Sequence, residues 1–307
     1  MIKKITAAFL LLFISFALVC CTNVSEDEKD GISIVTTVFP QYDFAKRLTE
    51  GTGANVKMLI PAGSEAHSYD PTPADMIAAA ECDIFIWVGG ESEAWAEKII
   101  KSTVKEKTKV IALMDTVPLI ESDGDHDHGD GHDYDEHVWT SPKNAMAMVE
   151  VLLATLCETD PDNAEAYRSN SEKYLASLEV LDRDFTALAE KIGKRPIIVG
   201  DRFPFLYLAS SYGFVFASPF RGCSAHTEAS VAEIAAVIEI ARENGAKTVF
   251  SVDFSNEKMA KSIADEVGAS VSRLYSCHTA SGADIDAGNG YIEIMRKNLE
   301  ALTGAYE

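Results

Sequence analysis

The side chains best equipped to bind something in this chain are its histidines and the carboxylates around them. Four of the seven histidines fall within residues 123–145, which read DGDHDHGDGHDYDEHVWTSPKNA. A fifth, His67, stands in the turn-rich run PAGSEAHSYDPTP with Glu65 and Asp70 beside it. Neutral imidazole is a common ligand for borderline-soft divalent metals, and a neighbouring carboxylate can fix the ring that binds. The four histidines of the acidic stretch are not equivalent. His126, His128 and His132 sit among Gly and Asp with no apolar neighbour to pack them, so they read as a flexible, accessory metal-collecting loop. His137 is followed by Val138 and Trp139, which favour burial, so its ring can be held in one place. His278, in Ser276-Cys277-His278, and His226, in a loop before a helix, complete the set.

Such residues need a scaffold, and the chain supplies one by alternation. Strands are expected at 32–38, 55–60, 83–88 and 109–113, with helices at 41–50, 72–80 and 91–101 between and after them. The rhythm returns with strands at 196–200, 214–217, 248–252 and 269–274 and helices at 204–211, 229–244, 256–267 and 290–303. Strands alternating with helices mean parallel sheets covered on both faces. Residues 141–194 carry no strand signal. Ser141-Pro142 reads as a helix cap followed by proline in the first turn, and Asp160-Pro161 restarts the pattern. No glycine or proline interrupts 162–192, where Tyr167, Tyr174, Leu178, Leu181, Phe185 and Leu188 recur on one face. The expected fold class is α/β: two lobes with parallel sheets flanked by helices, residues 32–140 and 195–307, joined by a long linker helix within 141–194 that acts as a backbone and not a hinge. The His/Asp-rich loop, 121–136, belongs to the first lobe. His67 follows the second strand, at the carboxyl end of a parallel sheet, where open α/β folds bind ligands.

The amino terminus sets the compartment. Lys3-Lys4 and an apolar run over residues 7–19 read as a signal segment, too short to span a bilayer. Residues 1–20 are the expected leader. Cys21, preceded by the small Cys20, resembles the lipidated cysteine of a bacterial lipoprotein, with the polar residues 21–31 as its tether. Loss of Lys3 and Lys4 takes the formal charge from −21 to −23. That acidity argues against nucleic acid and anionic lipid as partners. Of the remaining cysteines, Cys82 and Cys157 lie in apolar patterns and read as buried thiols. Cys223 and Cys277 lie in polar, loop-like contexts. An oxidising exterior favours a disulfide between them over thiolate ligation of zinc, and that bond would hold the His278 loop.

The order strand–AHSYDPTPADM–strand–GGES-x-x-W, then His-rich loop–DEHVWTSPKNA–long helix, resembles the metal-binding lipoproteins of ABC importers for zinc and manganese, over nearly the whole chain after the leader. The resemblance implies two lobes with one ion in the cleft between them. It also implies a monomeric protein, lipid-anchored on the outer face of a bacterial cell membrane, that hands a divalent metal to an ABC permease and its ATPase subunit. It assigns His67 and His137 as ligands from the first lobe. The second lobe departs from the pattern. Arg202 stands where the family carries a His or Glu, and an arginine cannot bind a cation. Asp201 beside it and Asp253 after the 248–252 strand are further candidates, with Arg202 pairing with a carboxylate near the metal. The family's last ligand falls near 276–278, which makes His278 the third candidate. Three imidazoles with a carboxylate or water suit tetrahedral Zn(II), whereas Mn(II) prefers more oxygen. The alternatives are another divalent ion, Mn(II) first, or an adhesin on the same fold. No His-Glu-x-x-His or Gly-x-Ser-x-Gly motif marks an enzyme. Metabolic labelling with palmitate should mark the wild type and not Cys21→Ser; labelling that persists there and disappears in Cys20→Ser would move the anchor by one residue.

Overall fold

The computed structural model describes residues 31–64, 69–122, 134–220 and 229–307. Cys21, Glu65, His67, the histidines 126, 128 and 132, Cys223 and His226 lie outside the described residues. The first half runs β1 Ser33–Thr36, α1 Phe39–Leu48, β2 Asn55–Met58, α2 Pro73–Glu81, β3 Ile84–Trp87, α3 Ala94–Ser102 and β4 Lys109–Ala112. Its four strands are all parallel, in the order β2-β1-β3-β4. Two helices follow, α4 Pro142–Thr159 and α5 Ala164–Ile192. The second half runs β5 Ile197–Val199, α6 Leu206–Tyr212, β6 Phe216–Ala217, α7 Val231–Glu243, β7 Thr248–Val252, α8 Lys258–Val267, β8 Ser270–Leu274, α9 Gly282–Asp286 and α10 Tyr291–Ala305. Its sheet is also parallel, in the order β6-β5-β7-β8. The expected alternation is therefore present twice.

In each sheet the strand order reverses beside its first strand, between β1 and β3 and between β5 and β7. At such a point the connections leave in opposite directions and open a crevice at the carboxyl ends of the strands. The two faces of each sheet feed different cores because side chains alternate along a strand. In β1, Ile34 joins the main core while Val35 joins a smaller one with Leu59, Phe85 and Ala96. In β5, Ile197 faces the main core and Ile198 packs with Val249 and Ile263. The main core is continuous from β1 through the linker helices to α10, and it contains all six of Tyr167, Tyr174, Leu178, Leu181, Phe185 and Leu188. Burying a residue such as Phe185 contributes about 1.5–3 kcal/mol. A core shared in this way ties both lobes to the linker, as the uninterrupted apolar stripe predicted.

The linker is two helices, with a tight 3-10 turn at Pro161–Asn163 between them, where Asp160-Pro161 restarts the helical pattern. Proline disfavours the helical conformation for the residue before it, and Asp160 takes φ −134°, ψ 77°. The Asp160 carboxylate then accepts from Tyr167 Oη at 2.6 Å and Asn163 Nδ2 at 2.8 Å, which starts α5. Helix α9 was not anticipated. Five residues are too few to show a period, and it rests on its Ser281 cap, whose Oγ accepts from Asp284 N at 3.0 Å. No helix among the described residues is long and apolar enough to cross a membrane.

Beside the first crevice, Glu93 is buried and its Oε2 accepts the Val88 N–H at 2.6 Å. Burial pushes its carboxyl up to about 7, against the pull of that bond. A raised acid favours the folded state below its unfolded value of 4.5, and that advantage is lost as pH climbs through 7. The loss is on the order of 3 kcal/mol. Glu93→Gln keeps an acceptor for Val88 and removes the charge. In urea unfolding of metal-free protein at pH 5 and pH 8, the variant should gain on the wild type at the higher pH. An identical pH dependence in both would show that Glu93 is not held neutral.

Candidate metal centre

The loop from β4 to α4 is built to present His137. Glu121 and Tyr134 form an isolated antiparallel bridge, and Asp135 N donates to Ile120 O at 3.0 Å. The described residues on either side of 123–133 are thus held together. Asp135 is buried, and its Oδ1 accepts the His137 backbone N–H at 2.9 Å and lies 3.2 Å from His137 Nδ1. Bonding at Nδ1 fixes the ring and turns Nε2 to the other side, the arrangement by which a carboxylate orients a metal-binding imidazole. His137 is 4% exposed and Trp139 is fully buried, so the apolar neighbours do hold the ring. Glu136, the other acidic neighbour, is used differently. Its carboxylate takes the Ser92 N–H at 2.9 Å and the Ser92 hydroxyl, tying the DEHVW segment to the GGES turn after β3. At Gly90 a Cβ would meet the Glu136 side chain, which would have to shift to admit it.

The flank of His67 is fixed from the chain that follows it. Asp75, in the first turn of α2, accepts from Thr72 N at 2.9 Å, Thr72 Oγ1 at 2.6 Å and Tyr69 Oη at 2.6 Å, and pairs with Lys57 at 3.1 Å. Burial alone would raise its carboxyl, but these bonds hold it down at about 2. The motif SYDPTPAD is thus a capped helix start. Asp70 is exposed, and no described hydrogen bond uses its carboxylate.

In the second lobe His278 sits in the loop after β8. Asn298 pins the loop by accepting from Tyr275 N at 2.7 Å and donating to Tyr275 O at 2.8 Å. Asp253 Oδ1 accepts Ser276 N at 2.8 Å, and Ser276 O accepts Trp139 Nε1 at 2.9 Å. The His278 carbonyl accepts Phe39 N at 3.3 Å from the first lobe. These contacts bring the two sequence-predicted histidines together. The His137 and His278 rings meet nearly perpendicular, at 86°, with centroids 5.2 Å apart, and Trp139 packs on both, at 5.5 and 5.0 Å.

The aspartates behave differently from each other. Asp201 spends both oxygens on backbone, accepting from Arg202 N at 2.9 Å and Val252 N at 3.2 Å. Asp253 Oδ2 is buried with no hydrogen-bond partner among the described residues, and burial raises the carboxyl to about 6. An acceptor in that state is suited to a cation. Cys277 corrects an expectation. Its thiol is free and fully buried in the main core, so the bond to Cys223 is not formed. The residue adopts a left-handed φ of 58°, and its side chain belongs to the core rather than to the loop surface. Burial first, then the Asp253 and Asp43 carboxylates, drive the thiol well above its ordinary pKa, which makes it a poor thiolate. What holds the His278 loop is Trp139, Asp253 and Asn298. Cys82 and Cys157 are free thiols as expected, with Cys82 pushed up to about 12 by burial. Among the described residues no three His, Cys, Asp or Glu side chains are grouped closely enough to hold an ion. Sequence reasoning missed Trp139 as the ring packed against both histidines; its place two residues after His137 was the available signal.

Two parallel α/β lobes on a helical linker, with histidine-bearing loops from both lobes meeting in the cleft, define a two-lobe solute-binding protein. The chain matches the family described as zinc-uptake complex component A, periplasmic, over residues 34–305, and it belongs to that family. It is 32% identical to the high-affinity zinc uptake system protein ZnuA of Bacillus subtilis, covering 98% of both chains. It is 33% identical to the zinc-binding lipoprotein AdcA of Streptococcus pneumoniae over 98% of its own length, spanning 60% of that longer protein. Among solved structures it resembles the metal-dependent lipoprotein YcdH of B. subtilis, with TM-score 0.76, 31% identity and coverage of 89% of this chain and 99% of that one. The Zn(II)-bound ZnuA-like domain of S. pneumoniae AdcA matches with TM-score 0.74 and 28% identity, covering 90% and 99%.

Gly90→Ala should force Glu136 off Ser92 and loosen the His137 loop. A loss of about 1–3 kcal/mol in chemical denaturation is expected, as for overpacking of a tight contact. An unchanged denaturation midpoint would show that Glu136 can move aside freely.

Proposed function

We propose that this protein captures Zn(II) in the cleft between its lobes outside the cytoplasm and delivers it to an ABC permease and its ATPase subunit, without catalysing a reaction. His67, His137 and His278 supply the imidazoles, and a carboxylate or a water is the fourth ligand, with Asp253, whose Oδ2 has no described hydrogen-bond partner, the first carboxylate to test. The carrying observation is the spacing of His137 and His278. A ligating nitrogen lies about 2.0–2.1 Å from zinc and the ring centre about 1.1 Å beyond it, so two imidazoles at a tetrahedral angle have centroids about 5.2 Å apart. The observed separation is 5.2 Å. The two rings come from different lobes, so an ion between them is bound by the cleft and not by either lobe alone. The lipid on Cys21 keeps the protein at the membrane, and the protein works as a monomer. His126, His128 and His132 gather metal at the cleft mouth. Asp201 keeps the turn after β5, and His226 is not a ligand.

The test is competition against a chromogenic zinc chelator. His67→Ala, His137→Ala and His278→Ala should each weaken the tight site well beyond the 10–100-fold typical of a supporting residue. Asp201→Ala and His226→Ala should bind like the wild type. Deleting residues 123–133 should lower the stoichiometry and change the tightest Kd less than about tenfold. Binding should fade below pH of about 6.5, because the histidine ligands must be deprotonated. Wild-type affinity in His278→Ala would overturn the second-lobe assignment.

A further inference from the structure

The indole of Trp139 has no ligand atom to offer a cation, since its one polar group is an N–H donor. It nevertheless packs on both cleft histidines. The centroids of Trp139, His137 and His278 form a triangle: 5.5 Å from Trp139 to His137, 5.0 Å from Trp139 to His278 and 5.2 Å between the imidazoles. Each imidazole is thus seated on the same indole and against the other. The indole is itself held at both ends. Its Nε1–H donates to Ser276 O at 2.9 Å, and its backbone carbonyl accepts Tyr291 Oη at 2.6 Å. The residue is wholly buried. The short turn that carries it, Val138–Thr140, is fastened by Asn144 Nδ2 donating to Val138 O at 3.0 Å and Thr140 Oγ1 donating to His137 O at 2.8 Å. Interiors pack like organic crystals, so a buried ring fixed in this way cannot slide without leaving polar atoms unmet.

We propose that Trp139 is a positioning residue that makes the cleft selective for a tetrahedral ion, by holding the two imidazoles at a spacing that six-coordinate and square-planar ions do not provide. The inference rests on the zinc-capture reading above. Imidazole suits zinc, copper, iron and nickel alike, so the ligand type does not separate these ions and geometry must. Tetrahedral neighbours at the zinc bond length put the ring centroids about 5.2 Å apart. Ligands at right angles would put them about 4.5 Å apart at that bond length, and ligands on opposite sides about 6.3 Å. The observed 5.2 Å matches the first arrangement alone. Closing the gap by about 0.7 Å would press together two rings that already meet nearly perpendicular, or draw one of them off the indole. Neither histidine can back away easily. Asp135 Oδ1 lies 3.2 Å from His137 Nδ1, and the His278 carbonyl accepts Phe39 N at 3.3 Å. Ser276 joins the indole to the second histidine, because its carbonyl accepts Trp139 Nε1–H while its hydroxyl accepts the His278 N–H at 3.2 Å.

Zn(II) and Ni(II) can each be titrated against a competing chelator on the full chain, with Tm recorded on the metal-free protein. The wild type should prefer zinc. Trp139→Leu fills space without a flat ring and should lower the zinc-to-nickel affinity ratio about tenfold, by weakening zinc and not nickel. Trp139→Phe keeps a ring but not the bond to Ser276, and should lower the ratio about threefold. Phe185→Leu disturbs the linker core without touching either histidine, so it should lower Tm and leave the ratio within about twofold of wild type. If the Trp139 variants do not fold, Tyr291→Phe decides the matter: it removes only the hydroxyl that holds the Trp139 carbonyl, and the ratio should fall about threefold. Ratios within about twofold of wild type in Tyr291→Phe and in every Trp139 variant that folds would overturn the proposal. So would a wild type that takes nickel as tightly as zinc, while its tight zinc uptake would leave the capture reading standing. A wild type with no tight zinc equivalent would overturn the capture reading itself, and the zinc titration shows this before any ratio is formed.

Discussion

The buried carboxylate of Asp43 connects everything that the cleft requires. It lies on α1 of the first lobe and is 6% exposed. One oxygen accepts Tyr174 Oη from the linker and the Tyr291 N–H at the start of α10, both at 2.9 Å, and the other accepts Arg47 Nε at 3.2 Å. Burial raises its pKa, while the Tyr291 N–H and Arg47 work against that. A carboxylate in the interior is tolerable only when its lone pairs are filled, and a helix amino terminus offers both unpaired N–H groups and a favourable dipole. Thus a first-lobe side chain caps the last helix of the second lobe. Gly290 is obligatory at this joint, since a Cβ would collide with the carboxylate. Tyr291 carries the connection onward by donating its hydroxyl to Trp139 O at 2.6 Å, and Trp139 packs on both cleft histidines.

The result is a site whose two halves are positioned by one network. The bonds run from the linker through Asp43 and Tyr291 to Trp139, and from Trp139 through Ser276 to Asp253. Breaking any link leaves buried polar atoms unmet, which costs more than the net worth of the bond that was lost. This explains why a cleft between two sheets can keep a fixed separation without a large interface of its own. The shared core does the gross fixing, and the network sets the separation of the rings.

The second lobe has a crevice of its own, and its two aspartates are used differently. Asp201, next to Arg202, is committed to two backbone N–H groups at the β5–β7 crevice. The other side of that crevice is arranged differently. There Asp253 retains an oxygen with no described partner, and His278 stands on Trp139. The crevice itself comes from strand order, which is the same in kind in both lobes, so ligands can be redistributed among its loops without altering the sheet.

The elements were legible because they obey local rules. Ile84–Trp87 is apolar on both faces and becomes a buried parallel strand, and the 167–188 stripe is the apolar face of α5. Thr72 and Ser141 cap helices because their hydroxyls accept the N–H three residues on. His137 was separable from His126, His128 and His132 for the same kind of reason, since only it has neighbours that must be buried. Position 160 breaks the linker through the proline that follows it, and that break could be read, though not the fact that two helices pack side by side because of it. What tertiary structure alone decided are the contacts between residues far apart in the chain. Cys277 is in the core and not in a bridge, Asp253 is left an open oxygen while Asp201 is spent, and Trp139 packs against two histidines that stand 141 positions apart, 137 and 278, and touch each other. No periodicity records these outcomes. Each is fixed by where two separate sheets are held relative to one another, and that is set by the core they share and by the carboxylate of Asp43.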